Sequence, residues 1–258
     1  MNTASTSFAP LESLAGMTAV ITGGTGAIGA ATAHRLAGLG ARVVLLQRGR
    51  PEQADGLLAA LPGSGHFALG ASVTDSAALG RAAAEVHTRT GGAAMLVNAA
   101  GFTQAVPPAD LDGLNDALID DIFAVTWRGC FASIRAFAPQ LQASGDGLVV
   151  NVSSIAAATG LGSNLAYAAA KAGVDALTKA LAKTLGPGIR VLAVSPGVVD
   201  TPFVPGRGAD FNARVGASLP LRRVGGADDV AAAIVACATS LRYATGSIFV
   251  VDGGRHLG

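Results

Sequence analysis

Short apolar runs alternate with longer Ala-rich stretches along most of the chain, and each run predicts a strand and each stretch a helix. Met17–Thr22, Arg42–Gln47, Phe67–Ser72, Ala94–Asn98, Leu148–Val152, Arg190–Val194 and Ser247–Val251 read as seven buried strands. Between them, Ile28–Leu39 reads as a helix closed by Gly40, and Pro51 opens the next. Thr74–Thr90, Asp110–Leu141 (with a break near its start), Leu165–Leu185 and Asp228–Leu241 complete the helices. Strands separated by helices of this length predict a doubly wound α/β domain, a seven-stranded parallel sheet with helices on both faces. A polar arm over residues 1–15 precedes the domain, residues 16–258, and the one long irregular segment, Phe203–Pro220, reads as a substrate loop.

At 258 residues, half of them hydrophobic and 14% charged, the chain can bury a large single core. A formal net charge of +1 gives no reason to expect nucleic acid or an anionic membrane as partner. No apolar run approaches a membrane span, and Met1–Leu14 lacks the pattern of a signal peptide. Cys130 and Cys237 are too far apart for a metal or redox motif, so no metal is expected, and two free thiols suit a cytoplasmic location.

Directly after the first strand, Gly24-Thr25-Gly26-Ala27-Ile28-Gly29 opens a helix. Strand, glycine turn and helix form the dinucleotide geometry, in which backbone N–H groups and the helix N-terminus face a pyrophosphate. Tyr167 and Lys171 stand one helical turn apart, with Ser154 thirteen residues before the tyrosine. A free phenol, with a pKa near 10, is a poor base near neutrality, and a nearby cation favours the phenolate. Lowering that pKa by roughly 2–3 units requires about 3–4 kcal/mol, within reach of a partly desolvated ammonium. Such a group suits removing a proton from an alcohol or giving one to a carbonyl.

Together, Thr22-Gly23 with Gly29, Asn98-Ala99-Ala100-Gly101, Asn151-Val152-Ser153-Ser154, Tyr167 with Lys171, Ser195 to Thr201, and Gly246 with Asp252-Gly253-Gly254 resemble a short-chain dehydrogenase/reductase, over about Gly16 to Gly254. The resemblance implies a Rossmann-type fold and hydride transfer between a nicotinamide and a ketone or secondary alcohol, of 3-oxoacyl or another hydrophobic type. It assigns acid/base work to Tyr167, substrate-oxygen binding to Ser154, and the nicotinamide ribose to Lys171. Cofactor contacts are expected from Gly23, Thr25, Gly26, Ile28, Gly29, Ser72, Val73, Asn98, Ala99, Ala100, Gly101, Pro196, Gly197, Val199 and Thr201, besides Tyr167 and Lys171.

Three positions depart from the family pattern. Ala27 replaces the middle glycine of the turn, and Ser72 stands where an Asp often accepts from adenine. Thr126 occupies the place of an Asn that kinks its helix and holds a relaying water beside the lysine. At the end of the second strand, where NAD sites usually carry an acid, the chain reads Gln47-Arg48-Gly49-Arg50, with Glu52 further on. An arginine fork fits a 2′-phosphate, so NADP(H) is favoured over NAD(H), with Arg48 as the phosphate contact. The family also implies pairing of the helices Asp110–Leu141 and Leu165–Leu185 across a homodimer, and a homotetramer through Phe249–His256.

Two other readings are weighed. Sugar-nucleotide epimerases and dehydratases need an extra substrate domain for which the chain leaves no room. A non-catalytic dinucleotide-binding regulator is suggested by Thr126 alone and opposed by Ser154, Tyr167 and Lys171. The substrate pocket is expected among Ser154, Tyr167, Thr103–Val106, Ala156–Leu161 and the 203–220 loop, where Arg207, Asp210 and Arg214 could meet a polar tail.

Overall fold

The computed structural model describes residues 13–206 and 208–257. Seven parallel strands, β1 (Thr18–Thr22), β2 (Arg42–Gln47), β3 (Phe67–Gly70), β4 (Met95–Asn98), β5 (Gly147–Val152), β6 (Ile189–Pro196) and β7 (Ile248–Val251), lie in the order β3-β2-β1-β4-β5-β6-β7. The chain winds outward from β1 to β3, then returns to place β4 on the other side of β1. The strand order reverses at that point, and the C-terminal ends of β1 and β4 part to leave a crevice.

Successive residues of a strand face opposite sides of a sheet, so each strand feeds two cores. Ile21, Leu45, Val97, Val150 and Leu192 enter one, with Leu36 of α1 (Ala27–Gly38) and Ile234 of α9 (Ala227–Thr239). Val20, Val44, Leu96, Val149 and Val191 enter the other. There they meet Leu79 of α3 (Ser76–Thr90), Phe137 of α5 (Gly129–Ala143) and Val174 of α7 (Leu165–Leu185). A Pro51–Ala54 turn leads into the short helix α2 (Asp55–Ala60), as Pro51 predicted. Leu14 is buried and donates its N–H to Leu39 O at 2.8 Å. Residues 1–12 of the expected arm lie outside the described residues.

Two expectations are corrected. The segment expected as a helix from Asp110 is turn up to Asn115; α4 runs Asp116–Phe123, capped by Asn115 Oδ1 on Leu118 N at 3.0 Å. The break then falls later, as a π turn over Ala124–Arg128 leading into α5. Most of the supposed irregular loop is helix, α8 (Ala209–Ser218). Pro205, Gly206 and Gly208 stop before its first turn, and Phe211, Val215 and Gly216 then form a partly covered face at helical spacing.

Close helix packing depends on missing side chains at two places. A Cβ on Gly129 would lie 2.7 Å from Val73 Cγ2, and one on Gly173 of α7 would lie 2.7 Å from the Trp127 ring. Gly80 within α3 faces open space. Gly129→Ala should therefore destabilise the fold by about 1–3 kcal/mol through overpacking, whereas Gly80→Ala should stabilise it by about 0.4–1 kcal/mol through backbone entropy. Urea unfolding of the two variants beside the parent checks both signs.

Candidate active site

A cavity of about 510 Å³ opens at the crevice between β1 and β4. Its floor is the glycine turn: Gly23, Gly26, Ala27, Ile28 and Gly29 all line it. A Cβ on Gly23 would lie 2.8 Å from Ala100 Cα, and one on Gly29 2.4 Å from Gly23 O. The backbone therefore folds tightly on itself, and the first turn of α1 has neither a side-chain cap nor an acidic residue. Uncapped N–H groups at a helix start that opens on a cavity suit a phosphate. The cradle thus fits the pyrophosphate of a dinucleotide, and Ala27 takes the middle-glycine position without obstructing the cavity.

On the opposite wall, Ser154 follows β5, and Tyr167 and Lys171 lie on the first two turns of α7. Asn164 fixes the start of that helix by accepting the Tyr167 N–H at 2.7 Å. Its amide also donates to Gln104 O at 2.7 Å and Thr103 Oγ1 at 3.2 Å, and Thr103 in turn bonds Ser163. The stretch after β4 is thereby tied to the helix that presents the tyrosine. Sequence reasoning passed over Asn164, although an Asn just before a helical run is a capping signal.

Lys171 is 4% exposed, and its Nζ donates to Val152 O at 2.6 Å. The ammonium lies 5.7 Å from the Tyr167 ring centre. Burial pulls the Lys171 pKa down to about 8, opposed by Cys130 and Asp175. Burial likewise pushes the Cys130 thiol up to about 12, despite Lys171 nearby, so it stays protonated. Cys130 Sγ is bonded to Asn151 Oδ1, within a buried chain linking Asn98, Asn151 and Thr178. Burial raises the Asp175 carboxyl, against the pull of Ser153, Lys179 and Lys171.

Ser154, Tyr167 and Lys171 share the cavity with Ala99, Gly101, Pro196, Gly197, Val199 and Thr201, as the sequence predicted. Thr25, Arg48, Ser72, Val73, Asn98 and Ala100 do not line it. Asn98 is buried in the strand-end network, and Ser72 bonds Thr74. Arg48 and Arg50 are exposed beyond β2, while Gln47 is buried and donates to Arg50 O. Thr126 is also absent from the wall: it is buried in the π turn, and its hydroxyl has no hydrogen-bond partner among the described residues.

The expected substrate wall is also revised. Leu161, Phe203, Val204 and Asn212 line the cavity from the expected stretches, and Pro108 and Ile155 join them. Thr103–Val106 do not line it: Thr103 and Gln104 bond Asn164, and Val106 N donates to Ser163 O. Phe203 tilts against Tyr167 with ring centres 6.0 Å apart. Arg255, from the turn after β7, reaches the same cavity. Asp210 and Arg214 do not line it, and Arg207 lies outside the described residues.

Lys171 provides a pH test. The unfolded chain keeps the lysine proton up to about 10.5, whereas the folded chain releases it near 8. Between those values the unfolded state binds more protons, so this group's contribution to stability improves as pH rises. The stability of the parent relative to Lys171→Met should shift in favour of the parent by up to about 3 kcal/mol from pH 7.5 to 10.5. Denaturant titrations of both proteins across that range check the sign.

The family profile described as enoyl-(acyl carrier protein) reductase matches residues 24–256. The cis-4-hydroxycyclohexanecarboxylate dehydrogenase of Sinomonas cyclohexanicum is 39% identical over 251 residues, covering 94% of this chain and 98% of that one. The 3-oxoacyl-[acyl-carrier-protein] reductase FabG of Staphylococcus aureus is 30% identical over 243 residues, covering 93% and 98%. Among solved structures, the short-chain dehydrogenase/reductase SDR:glucose/ribitol dehydrogenase from Brucella melitensis superposes with a TM-score of 0.87 at 30% identity, covering 94% and 97%. With its parallel sheet, glycine cradle and the serine, tyrosine and lysine around one cavity, this chain belongs to the short-chain dehydrogenase/reductase family of oxidoreductases.

Proposed function

We propose that the protein interconverts a hydrophobic ketone and its secondary alcohol with NADP(H), using Tyr167 as acid/base. The observation that carries the reading is the convergence of Ser154, Tyr167 and Lys171 on a cavity whose other wall is an uncapped glycine cradle. When bound there, the nicotinamide supplies or accepts the hydride. Ser154 Oγ accepts the Ala156 N–H at 3.2 Å, which leaves its own O–H free to donate to the substrate oxygen. That bond orients the carbonyl and stabilises charge developing on it. Tyr167 then gives its proton to that oxygen in reduction and takes it back in oxidation. Lys171 directs one N–H at Val152 O, and its remaining donors are available to a ribose hydroxyl. Its charge favours the phenolate form of Tyr167.

Pro108, Ile155, Leu161, Phe203 and Val204 give the substrate side an apolar lining, suited to a cyclic ketone or a 3-oxoacyl chain. The names of the Sinomonas and Staphylococcus relatives point to the same two classes. The basic end of β2, with no acid before Glu52, supports NADP(H) through Arg48. A cytoplasmic homodimer or homotetramer is part of the same reading: small faces on α5 and α7 allow close pairing, and no helix among the described residues is long and apolar enough to cross a membrane. Sedimentation at micromolar concentration checks the assembly.

Tyr167→Phe should lower kcat by at least 100-fold while changing the cofactor Kd by no more than a few-fold. Cofactor fluorescence titration beside turnover measures both, and substantial residual activity would overturn the assignment. Arg48→Ala should raise KM for NADPH about tenfold and leave KM for NADH unchanged. A parent enzyme that clearly prefers NADH would refute the cofactor choice.

A further inference from the structure

Among the described residues that line the cavity, only Lys171 and Arg255 are charged, and none is a carboxylate. Lys171 is engaged with Val152 O beside the tyrosine. Arg255 differs: it is partly buried, and its guanidinium makes no hydrogen bond, ion pair or ring contact with any described residue. Three arginines away from the cavity show the alternative. Arg35 and Arg223 each grip an aspartate, and Arg242 pairs with Asp146.

The backbone that carries Arg255 is held firmly. Asp252 is 9% exposed, and its two carboxylate oxygens accept the Gly254 N–H at 2.8 Å and the His256 N–H at 2.7 Å. The same carboxylate meets His256 Nδ1 at 2.8 Å. Burial alone would raise the Asp252 pKa, but His256 and these two N–H groups hold it below the ordinary carboxylate value. The turn is also tied to the substrate side. Leu221 N donates to Gly253 O at 3.2 Å, and Gly254 packs so closely on Pro220 that a Cβ there would lie 2.6 Å from Pro220 Cγ. Arg255 therefore enters beside the 203–220 segment, whose Phe203, Val204 and Asn212 share its wall.

An arginine at a largely apolar wall, with no acid among the described lining residues and no partner for its guanidinium, has its donors available to an anion. A planar carboxylate matches its fork in both geometry and charge. We infer that Arg255 is a specificity-determining residue that receives a carboxylate carried by the substrate, distal to the reacting carbonyl. The substrate class is thus an oxo acid or hydroxy acid with an apolar body between its two polar ends. This rests on the hydride-transfer reading of the same cavity.

Matched probes test it. The acid 4-oxocyclohexanecarboxylate and its neutral amide would be compared as NADPH-dependent substrates of the parent, Arg255→Gln and Arg255→Lys. The parent should favour the acid at least tenfold in kcat/KM. Arg255→Gln should abolish that preference by raising KM for the acid far more than for the amide, and be partly rescued by Arg255→Lys. An undiminished preference in Arg255→Gln, an equal loss on both probes, or a parent that reduces the amide without favouring the acid would overturn the carboxylate site and leave the hydride-transfer reading intact. A second readout needs no turnover: calorimetry with cyclohexanecarboxylate, which has no carbonyl to reduce, in the presence of NADP⁺. Binding at least tenfold weaker in Arg255→Gln supports the site, and equal binding or none overturns it. If neither ketone reacts while that binding still depends on Arg255, the hydride-transfer reading fails and the anion site stands.

Discussion

The hydrogen bond from Lys171 to Val152 O joins the two structural units on which the site depends. It fixes α7, which carries the tyrosine, to the C-terminal end of β5, from which Ser154 follows. Taking an ammonium out of water is costly, and this one is held by a carbonyl and by the field of nearby Asp175. The same burial that lowers its pKa keeps its charge poorly screened, so its effect on a neighbouring phenol is stronger than a surface lysine's would be. Stability is spent where the chemistry needs an electric field.

Around that contact the chain uses small residues to bring backbones together. Gly23 and Gly29 let the turn after β1 close tightly enough to leave helix N–H groups facing the crevice. Gly129 and Gly173 let α5 and α7 settle against Val73 and Trp127, which sets where α7 begins and so where Tyr167 projects. The Asn164 cap and its bonds to Thr103 and Gln104 then lock that start to the stretch after β4. The cavity is thus assembled from strand ends and one helix start, and Pro108, Ile155, Leu161, the 203–220 segment and the final turn complete its wall.

Much of this was legible in advance. Seven apolar runs gave seven strands, because a buried parallel strand needs a continuous apolar stretch and says so in its residues. Leu165–Leu185 was bounded correctly, its end marked by Gly186-Pro187. Helix α8 was missed because Gly and Pro before it masked ten residues whose helical face is only partly covered. The late start of α4 was missed although local signals mark it, Asp112-Gly113 as a turn pair and Asn115 as a capping residue. Thr126 was placed near the site by the family resemblance, through Val125 and Gly129; the chain around it forms a π turn that the resemblance did not foretell, and Thr126 is buried there without lining the cavity.

The sequence by itself determined the fold class and the order of the elements, and it singled out Ser154, Tyr167 and Lys171, which line one cavity. Those features are written in local periodicity and in spacing along single elements, where a residue's neighbours in the chain are also its neighbours in space. Tertiary structure alone decided which residues close the cavity. Phe203 and Asn212 come from the segment already expected there and Arg255 from the final turn, and all three reach the cavity of Ser154 and Tyr167 from well beyond them in sequence. Their meeting is set by long-range packing, Asp252 against Gly197 and Gly254 against Pro220, and no short pattern in the chain records contacts across such distances.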